Sequence, residues 1–168
     1  MSLSMYDAAV PVFTRALKTL SKLLEKGEAF AAAKGLAPAE MLEAKLAPDM
    51  YPLTRQVQTA CDAAKFGAAR TAGVTPPSNP DTESTFAELQ ARIKATLDFI
   101  GGIDKAAYAD AAARPVTIKA GGGELNFTGQ DYLLNFALPN FFFHVVTAYD
   151  ILRHKGVEIG KRDYLSLS

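Results

Sequence analysis

The eighteen residues from Tyr132 to Tyr149 carry no formal charge and form the most apolar stretch of the chain, closed by Asp131 and Asp150. Such a stretch must be covered by the rest of the protein, which predicts the central helix of the fold. Thr128 with Asp131 three positions on suits a helix start, and Arg153, His154 and Lys155 before Gly156 suit its end. At about 100° per residue, Leu133, Phe136, Asn140, His144, Thr147 and Ile151 share one face, while Leu134, Leu138, Phe142, Val145, Tyr149 and Leu152 fill the opposite one. Cover on all sides is expected, with a kink where Pro139 removes a backbone donor. The length also reaches that of a membrane span. Asn135, Asn140, His144 and Pro139 are costly in lipid, and the other segments are amphipathic, so a buried helix and no membrane partner are expected.

The 168 residues suffice for one domain, 1–168, and nothing marks a second core. Eighteen basic and eighteen acidic residues balance without a basic cluster, which argues against a nucleic-acid partner. The single cysteine, Cys61, cannot form an internal disulfide, and the Met-Ser-Leu-Ser-Met-Tyr-Asp start lacks the pattern of a signal peptide, so a cytoplasmic location is expected. Cys61 falls on the apolar side of its predicted helix, where no neighbouring basic residue is expected, and reads as a small buried hydrophobe.

Three more bundle helices are predicted. From Ser4 to Leu24, Tyr6, Val10, Phe13, Leu17, Leu20 and Leu24 step by four and three, with Gly27 closing this helix before a short one up to Lys34. Pro38 starts a helix to Lys45, and Asp49 caps the second bundle helix, which runs to about Thr71. Its apolar face holds Met50, Leu53, Val57, Cys61 and Ala64; Asp49, Gln56, Ala60, Ala63 and Gly67 line a flank suited to close packing. Residues 73–81, with three prolines, read as a plain connection. The capping box Thr85–Glu88 opens the third bundle helix, and Gly101-Gly102 ends it. After a helical turn near Asp104–Ala111, alternation around Ala120–Gly123 predicts a β-hairpin whose Val116, Ile118, Leu125 and Phe127 lie on the bundle. Tyr164 and Leu165 are candidates to pin the tail.

The two histidines, His144 and His154, fall roughly 15 Å apart along one helix and cannot share a metal ion. His154 suits the exposed helix C-terminus. His144 has Asn140 one turn before it on the same face, and a buried imidazole there can be satisfied by Asn140, Gln56, Thr147 or Tyr51 without any further role. No phosphate loop, nucleophile motif or cysteine pair with metal spacing is present.

The order of the four helices, together with Leu46–Val57, Leu138–His144, Tyr149–Gly156 and Gly160–Leu165, resembles the DinB/YfiT-like four-helix-bundle superfamily of metalloenzymes, and most closely a bacterial domain-of-unknown-function branch of it. The resemblance implies an all-α fold, an up-down-down-up bundle with a small β-hairpin between helices three and four. In the metal-binding members a His-x-x-x-His pair on helix four joins a histidine on helix two, and the second of the pair lies twelve residues before the glycine of a Leu-Arg-x-x-Gly ending. Counting back from Gly156 places His144 there, Asn140 at the first pair position, and Gln56 or Asp49 as the polar residues of helix two. One imidazole of three remains, so no cofactor is expected, and His144 is the metal ligand if there is one.

The expected function is therefore a small-molecule site around Asn140, His144, Gln56 and Asp49. Two alternatives stay open. One is an enzyme related to the thiol-dependent transferases and isomerases of the superfamily, with His144 as the catalytic acid or base; the other is a structural protein whose polar core fixes helix register. Whatever apolar face of the fourth helix the hairpin and first helix leave open is expected to bury in a homodimer.

Overall fold

The computed structural model describes residues 3–120 and 122–167. The first two residues of the N-terminal reading, Gly121 of the hairpin turn and the final Ser168 lie outside them.

Helix α1 spans Met5–Lys34, opened by Ser4, whose hydroxyl accepts from the Asp7 amide at 3.2 Å. The expected break at Gly27 does not occur. A Cβ there would stand 2.7 Å from Leu152 Cδ2, so Gly27 marks a close helix crossing rather than a stop. Helix α2 is shorter than expected, Pro38–Leu42. Helix α3 covers Leu53–Ala72 and starts after Pro52, not at Asp49. The physical reason is Pro52 itself, which disfavours helical backbone at Tyr51 and so prevents a helix running on from Asp49. Leu53, Val57, Cys61 and Ala64 are buried on α3 as predicted, whereas Asp49 sits exposed in the preceding turn.

After Gly73 the connection turns back along α3. Asn79 accepts from Lys65 Nζ at 2.8 Å, Asp81 pairs with Arg55, and Glu83 accepts from Gln58 Nε2 at 2.9 Å. This return delivers the chain to the start of α3, so α4, Phe86–Gly101, runs parallel to it. Thr85 and Glu88 form the predicted capping box. The segment is thus more than a plain connection, since it brings carboxylates onto the bundle.

A 3₁₀ turn, Lys105–Tyr108, donates from the Tyr108 hydroxyl to the Ala68 carbonyl at 3.1 Å. Strands β1, Pro115–Ala120, and β2, Gly123–Thr128, pair antiparallel with Val116 opposite Phe127 and Ile118 opposite Leu125. Val116 and Ile118 join the core and Phe127 packs half-buried near Tyr132 and Phe136, but Leu125 is 43% exposed and does not lie on the bundle. Leu125 stands directly opposite buried Ile118, so β1 takes the covered side of the hairpin and β2 the open one.

The fourth bundle helix is assembled from three pieces. Helix α5, Gly129–Asp131, is capped by Thr128; a π-helical segment, Tyr132–Ala137, follows; then α6 spans Leu138–His154. Pro139 therefore does not act as a simple kink. It has no N–H to offer the preceding turn, and just before it the Leu138 amide reaches Leu133 O in an i→i+5 bond. Such a turn holds roughly one residue more than an α turn, so residues before it fall about 100° away from where an unbroken α wheel would put them relative to those after it. Leu134, expected to share the covered face of Val145 and Leu152, is consequently exposed. Phe143 and Val146 are also exposed, at 58% and 39%, so the helix is not covered on all sides.

The bundle closes as a ring. Helices α1 and α3 sit on one diagonal and each packs on both α4 and α6, the α3–α6 contact being the most extensive. At the centre Phe13 meets Phe141 edge to face, centroids 5.0 Å apart, above Gly67. The tail adds a one-turn helix α7, Lys161–Tyr164, and Tyr164 packs edge-on against Tyr149. No helix among the described residues is long and apolar enough to cross a membrane.

Candidate functional site

The antiparallel packing of α3 on α6 faces Gln56, in the first turn of α3, toward the middle of α6. Gln56 is 1% and His144 7% exposed, so each needs an internal partner. They supply it to each other, with His144 Nδ1 2.7 Å from Gln56 Oε1. The amide nitrogen of Gln56 donates to the Tyr51 carbonyl at 3.2 Å, which leaves its oxygen to accept and makes Nδ1 the protonated nitrogen of His144. Burial, and then the positive charge of Arg55, hold the imidazole below its ordinary pKa, so it is neutral at pH 7. Its Nε2 lone pair has no hydrogen-bond partner among the described residues. Arg55 lies over the Tyr51 ring, 5.7 Å from the centroid, and Phe143 stands edge-on to the imidazole at 5.2 Å.

Of the other expected site residues, Asn140 is half-buried one turn before His144 and lines a cleft of about 180 Å³ between α3 and the π–α6 junction. Thr59, Asp62, Arg70 and Tyr132 supply polar groups to the same cleft. Asn140 makes no hydrogen bond to His144 among the described residues, and Thr147 donates to the Phe143 carbonyl at 2.7 Å instead of to the ring. Asp49 belongs to no part of this groove: Pro52 keeps it off the helix, and it is exposed. His154 is exposed at the end of α6. Burial pushes the Cys61 thiol up to about 12, which leaves it unreactive.

The sequence reading missed a second polar cluster. Arg92 on α4 is 4% exposed and donates to Asp62 at 2.8 Å, Glu83 at 3.0 Å, Asp81 at 3.3 Å and the Pro80 carbonyl at 3.1 Å. Lys65, also buried, pairs with Asp62 at 2.9 Å. The signal was present in the sequence: Arg92 falls within the buried stripe, three residues after Leu89 and four before Thr96. A cation there requires anions, and the connection carries Asp81 and Glu83.

A divalent metal of the superfamily kind asks for three strong ligands. The groove offers one imidazole and two amides, with Nδ1 of the imidazole already engaged by Gln56. Among the described residues no group of three or more His, Cys, Asp or Glu side chains is placed to hold a metal ion. This donor set does not fit a three-histidine centre.

Comparison with solved structures finds the same fold in a DinB family member protein from Shewanella denitrificans, with a TM-score of 0.87 and 43% identity over 96% of this chain and 91% of that one. A comparison with curated proteins found no match. The profile described as "Domain of unknown function (DUF1993)" matches residues 5–165. The chain belongs to that family, a DinB-like helical-bundle family.

Proposed function

We propose that this chain is a DinB-like bundle that has given up the three-histidine metal centre and uses the α3–α6 groove to bind a small molecule. The observation that carries it is the Gln56–His144 bond, which fixes one neutral tautomer and leaves the Nε2 lone pair as an acceptor one turn from Asn140 and its cleft. The complementary ligand carries a hydrogen-bond donor for Nε2 and a donor or acceptor for the Asn140 amide. Gln56 and His144 supply the polar pair of this reading and Asn140 lines the neighbouring cleft, whose walls include neither of them; Asp49 has no part in it.

A second reading follows from the same geometry. A neutral imidazole with one free nitrogen is a general base, so His144 would accept a proton from a bound substrate without a metal. The lowered pKa makes it a weak base that stays ready at neutral pH. Exposed Phe143 and Val146, three residues apart on α6, supply an apolar stripe for the homodimer expectation.

The deciding experiment pairs elemental analysis of protein purified without chelator or nickel resin with a small-molecule screen followed by amide NMR, each repeated on His144→Ala. The expected result is substoichiometric metal in both proteins and ligand-induced shifts at Gln56, Asn140 and His144 that the variant loses. Near-stoichiometric metal, absent from a folded His144→Ala, would overturn the metal-free site.

A further inference from the structure

A second cavity lies on the other side of α6, between that helix, α1 and the C-terminal tail. It measures about 370 Å³, within the range of small-ligand pockets. Val12 and Ala16 of α1 and Phe142 and Val145 of α6 give it apolar walls, and Tyr164 closes one end. On the helix wheel Phe142 lies about 160° and Val145 about 100° from His144, and neither His144 nor Gln56 lines this cavity, so it is separate from the α3–α6 groove.

One cation stands at its edge. Arg15 lines the cavity, is exposed, and donates through Nη2 to the Leu165 carbonyl at 3.1 Å. No carboxylate among the described residues forms an ion pair with it. The bond to Leu165 spans from α1 to the tail and holds the guanidinium across the mouth, leaving its remaining N–H groups to offer. A second bond, between the hydroxyls of buried Thr19 and Ser166 at 2.6 Å, fastens the tail one turn further along. Ser166 takes a φ of 53°, a left-handed backbone that is uncommon for a residue with a side chain. The tail is thus shaped and tied to form one wall.

An apolar cavity with one guanidinium at its rim matches an anion with a single charge on an apolar body. A dianion such as a phosphate monoester would leave charge uncompensated, and a neutral hydrocarbon would leave the cation unused. We propose that this cavity binds a small apolar monocarboxylate, its body between α1 and α6 and its carboxylate on Arg15.

The test is titration of the ¹⁵N-labelled full chain with octanoate, and separately with 1-octanol. Saturable shifts are expected at Val12, Ala16, Val145 and Tyr164, with little change at Gln56 and His144. Arg15→Gln, an exposed substitution, should weaken octanoate about tenfold while altering octanol by less than about twofold. Ala16→Phe should fill the cavity and abolish both responses in a protein that keeps a dispersed spectrum; if it does not fold, Arg15→Gln decides. His144→Ala should leave octanoate binding intact, which separates this site from the groove. No saturable shift by about 5 mM octanoate, an unchanged affinity in Arg15→Gln, or shifts centred on Gln56 and His144 would overturn the proposal.

Discussion

Replacing Gln56 by leucine probes the groove most directly. The substitution keeps size and burial but strands the Nδ1–H of His144, which has no other acceptor among the described residues. An orphaned buried donor costs about 1–3 kcal/mol. The Tyr51 carbonyl also loses its donor, but Tyr51 is exposed and water can replace it, so that loss adds little. The expected destabilisation is about 2 kcal/mol, equivalent to a fall of roughly 4–8 °C in Tm for a chain of this size. Removing both partners, in Gln56→Leu with His144→Phe, leaves no stranded group and should recover about 1–2 kcal/mol relative to the sum of the single changes. The assay is urea denaturation of all four proteins at pH 7.5. A single Gln56→Leu effect below about 0.5 kcal/mol, or strict additivity in the double variant, would refute the bond as the organising contact of the groove.

The same variants carry a pH signature. The folded-state pKa of His144 lies below its unfolded value, so its contribution is complete above about pH 6.5 and lost as the pH falls from there through the folded pKa. His144→Phe should flatten stability over that window, as read from urea midpoints, and an unchanged slope would count against the assignment. Arg92→Met should cost about 3 kcal/mol, the low end for breaking a buried pair because Asp62 and Asp81 can hydrate, and should expose residues 74–84 to limited proteolysis. Gly129→Ala should cost about 3 kcal/mol by urea titration, since the new Cβ would fall 2.0 Å from the Ala111 carbonyl oxygen and backbone has little room to yield. Gly67→Ala should be milder, about 1 kcal/mol, because its clash with Phe13 is partly offset by better helix propensity.

Helices with a single local grammar were legible in the sequence. The Thr85 capping box, the four-three stepping of α1 and the alternation of the hairpin each have a short-range cause, and each appears where expected. The failures share a different cause. Gly27 looks like a stop until Leu152, far away in sequence, is seen to need its space. Asp49 looks like a cap until Pro52 is given priority over the hydroxyl and carboxylate preferences of helix starts. In the groove, Gln56 was one of four partners the sequence offered to a buried His144, and only the packing of α3 on α6 selects it. Their bond distance and tautomer depend on Tyr51, whose carbonyl orients the amide. The Arg92 cluster was written in the sequence as a cation in an apolar stripe, but its three anions come from α3 and a returning loop, which no periodicity connects.

The wide turn before Pro139 also bears on how this protein can change over generations. A segment that holds about one residue more than an α-helix requires is a place where a single codon can be lost while everything from Leu138 onward keeps its seat on α3. Closing the wide turn to an ordinary α turn leaves both flanks near their present orientation, so Tyr132, the Gly129 contact and the hairpin would keep theirs as well. The π segment is in that sense a seam between two inheritable parts. One carries His144 and faces Gln56, and the other carries the β-hairpin, so a residue can be gained or lost between them without disturbing either.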